Sequence, residues 1–300
     1  MNKHLSTLLA LCALLAAVPA AAKVRVAASL NDLASIASSV GGDQVEVFSI
    51  ARPTTDVHRV EALPSYMVKV SRAQIYLKVG LGLDQWADAI IDGSRNQHLK
   101  MVDCSQGVHV LEVPTGRVDA SMGDVHPNGN PHYWLDPRNG GVVARTIAEA
   151  LAQVDPPHAA DYRARAEAFV KDADAAYARE KQMAGALPHK SIFTYHRSWS
   201  YFADAFGLEV AETAEPVPGI PPTARHLADL VAIAKSRHIP ILLQEPYFSG
   251  DAGQFLSREA GVHPVVATPC CEEIAAGSYL AHFDTVLKSI ADAMGGKETP

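Results

Sequence analysis

Three of the chain's thirteen histidines stand where a ligand can bind. His58 and His196 each lie where a predicted strand passes into a helix, and His132 follows a long loop with little periodicity. Open α/β sheets bind their ligands at strand ends of this kind. Neutral imidazole suits zinc, and three histidines with one further donor make the tetrahedral set that Zn²⁺ prefers. The three histidines therefore predict a metal site assembled from distant segments.

The segments around these histidines alternate between strands and helices. Alternating or continuous apolar runs predict strands over 23–29, 45–50, 73–79, 191–195, 209–214 and 239–244. Helical spacing of apolar residues predicts helices over 30–40, 64–71, 86–93, 198–206 and 224–236. Such alternation implies parallel strands joined by helical crossovers, so the predicted fold class is α/β.

One long helix is predicted over 157–187. The segment is dense in Ala, Arg, Glu, Lys and Asp, and its apolar residues are spaced for one side of a helix. About thirty residues at roughly 1.5 Å per residue make a helix about 45 Å long. Because the alternation resumes after it, we expect this helix to join two similar lobes, each with a parallel sheet flanked by helices. The predicted N-terminal lobe spans 23–156 and the C-terminal lobe spans 188–300.

The first 22 residues have the features of a secretory signal peptide. Lys3 precedes an apolar stretch, and small residues before Lys23 offer a cleavage site. Cys12 is a weaker candidate for lipid attachment, because Leu11 stands where a small residue is expected. No later run approaches the roughly 20 apolar residues of a membrane-spanning helix. We therefore expect an exported chain without a membrane span, located in the periplasm.

Three cysteines remain after residue 22, namely Cys104, Cys270 and Cys271. An exported compartment permits disulfides, but three thiols cannot all pair, and a bridge between adjacent residues is strained. The sequence leaves two alternatives open. One is a bridge from Cys104 to either member of the pair, and the other is three unbridged thiols.

The charge of the chain argues against nucleic acid as a partner. There are 26 Lys and Arg residues against 33 Asp and Glu residues, for a net charge of −7. This balance offers no electrostatic footprint for nucleic acid or for an anionic membrane.

Each of the three histidines lies in a recognisable motif. The motifs are Asp56-x-His58-x-x-Glu61-x-x-Pro64, Pro131-His132-Tyr-Trp-Leu-Asp-Pro137, and a segment from Tyr195-His196 to Gly207-Leu208. In this order they resemble the periplasmic solute-binding proteins of bacterial zinc and manganese ABC transporters, the cluster A-I type. The chain departs from that pattern at Val57, where proline is usual, and at Asn130, where an acid is usual. The resemblance covers nearly all of the mature chain.

The resemblance implies a metal site in a cleft between two α/β lobes that one long helix joins. It makes His58 and His132 ligands from the N-terminal lobe and His196 a ligand from the C-terminal lobe. In the last loop, where the family usually has an aspartate before a proline, this chain has Thr268. Because threonine is a poor zinc ligand, we predict Glu245 or water at the fourth position. The remaining alternatives are Cys270, Cys271 and Glu272.

Two carboxylates and a loop complete the predicted surroundings of the metal. Glu61 and Asp136 are predicted either to orient a ligating imidazole or to stand at helix starts without contact with the site. The loop that carries Asp119, Asp124 and His126 is similar to a longer His- and acid-rich loop of zinc-selective members. It is predicted either to capture metal weakly and pass it to the cleft or to be a solvated loop.

The resemblance implies capture of Zn(II), as transported ligand, and its delivery to an inner-membrane ABC-transporter permease. Mn(II) is the main alternative, but manganese prefers oxygen donors, and three imidazoles favour zinc. A metal-dependent surface adhesin is a further alternative. A secreted zinc hydrolase is disfavoured, since no H-E-x-x-H motif appears and two lobes on a stiff helix suit capture and release better than turnover. We therefore expect a monomeric binding protein and not an enzyme.

Overall fold

The computed structural model of the chain describes residues 22–119, 122–123 and 125–295. Residues 1–21 of the predicted signal peptide lie outside these residues, and so does Asp124. In the described part of the chain, no helix combines the length and the apolar character that crossing a membrane requires.

The first half of the chain forms a four-stranded parallel sheet with the order β2-β1-β3-β4. Its strands are β1 (Val24–Ala28), β2 (Val45–Ser49), β3 (Ile75–Lys78) and β4 (Lys100–Asp103). The helices between them are α1 (Asn31–Gly41), α2 (Pro64–Val70) and α3 (Trp86–Ser94). The central strands β1 and β3 are almost continuously apolar because helices cover both faces of the sheet.

Two helices follow, α4 (Pro137–Val154) and α5 (Ala159–Gly185). The long helix α5 confirms the prediction of a connector, and it has 27 residues. Its buried side chains recur every three or four residues and pack against α4 and α1, since only one side of the helix faces the core. These buried residues include Tyr162, Ala166, Phe169 and Ala173.

The second half repeats the parallel arrangement with the order β6-β5-β7-β8. Its strands are β5 (Ser191–Thr194), β6 (Glu209–Thr213), β7 (Ile241–Gln244) and β8 (His263–Val266). The helices between them are α6 (Ser200–Phe206), α7 (Ala224–Arg237) and α8 (Asp251–Ala260). The α/β class and the two matching sheets that the sequence predicts are thus confirmed.

The chain returns to the first half after β8. The last helix, α9 (Ser278–Ala293), contacts α1 and α5 as well as β7 and β8. The Asn31 amide donates to the carbonyl oxygens of Cys271 and Glu272 at 3.1 and 2.8 Å, and the Ser35 hydroxyl donates to that of Ala275 at 2.7 Å. The two halves therefore have a second connection besides α5, and the lobe limits drawn from the sequence stay a prediction.

The three described cysteines are unbridged and buried. Of the two alternatives left by the sequence, the structure has free thiols rather than a disulfide. Burial raises the pKa of all three thiols well above their usual range, and the Asp32 carboxylate adds to this effect at Cys270 and Cys271. Without a bound metal, the thiols are therefore protonated at neutral pH.

Candidate metal centre

The structure brings His58, His132 and His196 together. One ligand atom from each ring lies within 4.8 Å of the other two. The ring centroids are 5.1 Å apart for His58 and His132, 5.2 Å for His58 and His196, and 5.6 Å for His132 and His196. Within the described residues, this is the only group of at least three His, Cys, Asp or Glu side chains with such proximity.

The three side chains meet because of where their segments leave the sheets. His196 follows the carboxyl end of β5 by two residues, and His58 lies in the loop between β2 and α2. His132 stands in front of α4, at the end of the long loop that follows β4. The carboxyl ends of parallel strands share one edge of a sheet, which is where such sheets bind ligands.

Each imidazole is oriented by a side-chain oxygen on its Nδ1 atom. The distances from Nδ1 are 2.9 Å to Asp56 Oδ1 for His58, 2.9 Å to Asn130 Oδ1 for His132, and 2.7 Å to Glu215 Oε2 for His196. Because these oxygens accept, Nδ1 carries the proton and Nε2 keeps its lone pair. Among the described residues, the buried Nε2 atoms of His58 and His132 have no hydrogen-bond partner. Such a carboxylate or amide behind the ring is what a ligating histidine needs.

In the first half, the orienting residue comes two positions before the histidine. Asp56 accepts the backbone N–H of His58 at 2.9 Å as well as its ring N–H, and Asn130 does the same for His132, with 3.0 Å to the backbone nitrogen. This Asx turn folds the side chain onto the backbone two residues later. The Asn130 amide nitrogen donates to the carbonyl oxygen of Arg197 at 2.9 Å, which turns its oxygen towards His132.

Asp136 has a structural role instead of the orienting one that the sequence left open. Its side chain accepts the backbone N–H of Arg138 at 2.9 Å and caps α4, whose first residue is Pro137. It also forms an ion pair with the Arg138 guanidinium at 2.7 Å. Glu61 is exposed, and every imidazole Nδ1 already has another partner. The idea that either carboxylate orients a ligand is therefore wrong, and for Asp136 the helix-start alternative is correct.

In the second half, His196 takes its partner from a neighbouring strand. Glu215 lies two residues after β6, just as His196 lies two residues after β5, and the two strands are paired. Both side chains are buried, and Glu215 also accepts the backbone N–H of Gly219 at 3.0 Å. Sequence reasoning missed Glu215. Its position just after the predicted strand 209–214 was the signal that could have found it.

Glu245 follows β7 and is fully buried. In the described part of the chain, neither of its carboxylate oxygens has a hydrogen-bond partner. Burial raises the pKa of this carboxyl to about 7. Glu245 does not belong to the group of ligand atoms within 4.8 Å of one another, so its place as fourth ligand stays a prediction.

The three imidazoles differ in their electrostatic surroundings. Burial and the neighbouring histidines hold the pKa of His132 well below its usual value. Burial also acts to lower the pKa of His196, but the hydrogen bond to Glu215 and the charge of Glu245 outweigh burial and raise it. The second half thus stabilises a positive charge at the site, whereas His132 stays neutral.

The remaining alternatives for the fourth position also lie outside the group of three histidines. The Thr268 hydroxyl donates to the carbonyl oxygen of Cys270. The backbone N–H of Cys271 donates to Asp32 in α1 at 3.2 Å, and Glu272 is exposed. The loop in which the resemblance places an acidic ligand is instead bonded to itself and to the first half of the chain.

The chain can be compared with known proteins on this basis. Residues 26–293 match the family described as "ZnuA: Zinc-uptake complex component A periplasmic". The chain belongs to this family. The ZnuA family consists of metal-binding solute-binding proteins of ABC transporters, so the resemblance that the motifs suggested is confirmed, and the chain is a binding protein rather than an enzyme.

Relatives in the ZnuA family are similar along most of their length. The "Iron-binding protein YfeA" of Yersinia pestis is 26% identical over 247 residues, which cover 80% of this chain and 75% of that protein. The "Manganese ABC transporter substrate-binding lipoprotein PsaA" of Streptococcus pneumoniae is 25% identical over 284 residues, which cover 91% and 89%. A crystal structure of ZnuA superposes with a TM-score of 0.79 at 26% identity and covers 91% of this chain and 99% of its own. The two-lobe fold is therefore shared.

Proposed function

We propose that the protein captures Zn(II) in the periplasm and delivers it to the inner-membrane permease of an ABC transporter. The observation that carries this proposal is the group of three imidazoles, whose ligand atoms lie within 4.8 Å of one another. Their proposed roles are those of ligands to the transported ion. Family membership supports the transport part of the proposal.

The donor set supports zinc over other divalent metals. The names of two relatives report iron and manganese, and the family description reports zinc, so family membership alone leaves the metal open. Manganese prefers carboxylate and other oxygen donors, whereas imidazole nitrogen suits zinc. His58, His132 and His196 supply three nitrogens, and Thr268 stands where a carboxylate is usual in the family.

The dimensions of the group fit a zinc ion after a modest contraction. Zinc binds imidazole nitrogen at about 2.0–2.1 Å, so two nitrogens of a tetrahedral site lie roughly 3.4 Å apart. The three histidines approach this spacing with ligand atoms within 4.8 Å. The buried carboxylates of Glu215 and Glu245 offset the charge of a dication that neutral ligands alone would leave uncompensated. A direct bond from Glu245 to the ion stays a prediction.

The split of the ligands between two halves supports capture followed by release. His58 and His132 come from the first half, and His196 comes from the second. A movement that separates the halves removes His196 from the other two ligands and lowers the affinity for the ion. A permease that binds the separated halves more tightly would therefore draw the ion out of the site.

The proposal is tested by metal analysis of protein purified without chelator, followed by competition between Zn²⁺ and Mn²⁺. We expect one zinc ion per chain, displaced by manganese only at a large excess. Retention of manganese in the presence of equimolar zinc would contradict the choice of metal. Absence of any bound metal, together with no binding in titrations, would contradict the transport function itself.

The location is tested by the intact mass of the exported protein. We propose that the mature chain begins near Lys23 and moves freely in the periplasm as a monomer. Some relatives, such as PsaA, are named lipoproteins, which makes the alternative concrete. A mature chain that begins with a lipid-modified Cys12 would place the protein on the membrane surface instead.

A further inference from the structure

We propose that His126 is the fourth ligand of the ion that His58, His132 and His196 hold. This inference rests on the proposed function, and it assigns the position that Thr268 leaves without a suitable donor. The ring of His126 stacks on that of His58 with a centroid distance of 5.4 Å and an angle of 27° between the planes. His126 is thus about as close to His58 as the other two histidines are, at 5.1 and 5.2 Å.

His126 borders the same cavity as two of the other ligands. This cavity of about 60 Å³ is lined by His126, His132 and His196 together with Asn130. A Cβ atom on Gly82 would lie 3.8 Å from Nδ1 of His126, so this edge of the ring faces the loop after β3. The other nitrogen, Nε2, is buried although the residue as a whole is only half-buried. The Nε2 atom of His126 is therefore the one that we assign to the ion, beside the three imidazoles that already converge.

The segment that carries His126 is anchored at both ends near the site. The hydroxyl of Tyr201 in α6 accepts the backbone N–H of Leu111 at 2.9 Å and donates to the carbonyl oxygen of Asn130 at 2.8 Å. Gly123 sits against the second half so closely that a Cβ there would lie 2.2 Å from the carbonyl oxygen of Pro218. Its φ of 69° also favours glycine. The loop from the first half thus reaches across to the second half with His126 between its contacts.

The other candidate donors are worse placed. The Thr268 hydroxyl is engaged by the carbonyl oxygen of Cys270, and the neighbouring thiols lie outside the group of three histidines. Glu245, like His126, lies outside the group within 4.8 Å. Glu245 follows β7 inside the core, whereas the ring of His126 stacks on that of His58. We therefore assign Glu245 to charge compensation and His126 to coordination.

Four imidazoles make a site that discriminates against manganese. Each donor is a neutral nitrogen, which suits zinc, and the tetrahedral geometry is the one zinc adopts most often. Loss of His126 should therefore weaken binding without removing the site.

The experiment is X-ray absorption spectroscopy of the zinc-loaded full chain, combined with zinc titrations against a competing chelator. We expect four imidazoles in the natural protein and three in His126→Ala, with an affinity for zinc that falls at least about tenfold. His109→Ala is the matched control, because His109 is exposed near the start of the same loop. It should keep four imidazoles and the full affinity.

Two results separate this inference from the proposed function. If His126→Ala keeps the imidazole count and the affinity of the natural protein, the inference is wrong, and a loss of affinity in Glu245→Gln would then identify Glu245 as the ligand. If the natural protein binds no zinc, or if His58→Ala binds as well as the natural protein, the proposed function itself is wrong.

Discussion

The two halves of the molecule have the same sheet topology, yet they orient their histidines in different ways. In the first half, Asp56 and Asn130 each hold the histidine two residues later within one short turn. In the second half, His196 depends on Glu215, which is 19 residues away and just after the adjacent strand β6. The first arrangement forms wherever its turn forms. The second exists only after β5 and β6 have paired.

The difference has an electrostatic consequence. The partner of His132 is a neutral amide, and burial keeps the pKa of this imidazole low. The partner of His196 is a buried carboxylate, which together with Glu245 raises the pKa of this imidazole despite its burial. The second half therefore adds two buried carboxylates near the ion, whereas in the first half His58 has the half-buried Asp56 carboxylate and His132 has a neutral amide.

The largest effects are expected from removal of the histidines themselves. His58→Ala, His132→Ala and His196→Ala should each lower the affinity for zinc by at least about tenfold, because each removes a donor from the ion. His196→Ala should have the strongest effect, since it removes the only one of the three from the second half. Competition titrations with a zinc chelator measure this. His226→Ala and His238→Ala serve as controls that should keep the affinity for zinc. The assignment would be refuted if one of the three ligand variants kept its affinity while a control variant lost it.

The next largest effect is expected from the residues that orient the imidazoles, and it compares the two halves directly. Glu215→Ala should lower the affinity for zinc by about 10- to 100-fold, the range typical of residues that orient a ligating histidine. Asn130→Ala should cost less, because it removes a neutral partner and leaves the buried carboxylates in place. Glu209→Ala is a matched control on β6, where Glu209 is exposed and paired with Arg237 at 2.7 Å. Equal losses for Glu215→Ala and Asn130→Ala would remove the distinction between the halves.

The pH dependence of zinc binding should be set by His196 in the second half. Protons compete with zinc for imidazole, so a raised pKa at His196 means that affinity begins to fall at a higher pH than for an ordinary histidine. Below that pKa the loss should approach about tenfold per pH unit for the one proton displaced. His132 contributes nothing to this loss, because its pKa is low and the ring is already neutral.

Titrations of zinc between pH 8 and pH 5.5 test this dependence. In Glu215→Gln the pKa of His196 should drop, so the decline should begin at a lower pH than in the natural protein. The control is Ser191→Ala on β5, which keeps the site intact. Thr213→Val would not serve as a control, because the Thr213 hydroxyl donates to the backbone carbonyl oxygen of Glu215. A decline at the same pH in both proteins would show that His196 does not control it.

The smallest effect is expected at Thr268. Thr268→Asp should raise the affinity for manganese by a few fold more than the affinity for zinc, because manganese gains more from a carboxylate oxygen than zinc does. The substitution must also break the hydroxyl bond to Cys270, which limits the gain. Paired titrations with both metals provide the measurement. An equal gain for both metals, or a larger gain for zinc, would argue against donor hardness as the basis of selectivity.

Much of the fold could be read from local patterns. The strand predicted over 45–50 and the helix predicted over 64–71 agree with β2 and α2 to within one or two residues. Alternating apolar residues mark the strand, and Pro64 marks the first turn of the helix. The long helix predicted over 157–187 is α5, since its one-sided apolar spacing is strong over many turns. The return of the chain after β8 to α1 was not predicted, because the sequence pattern of residues 267–277 does not show which distant surface they contact.

The sequence by itself determined the type of donor and the turns that carry two of them. Asp56 before His58 and Asn130 before His132 are local pairs, and local pairs depend only on chain geometry over a few residues. Tertiary structure decided the rest: that three histidines from distant segments meet, that Glu215 and not Asp136 orients a ligand, and that the cysteines stay unbridged. These outcomes depend on which strands pair and how the two halves pack, and no short stretch of sequence encodes the distance between such segments.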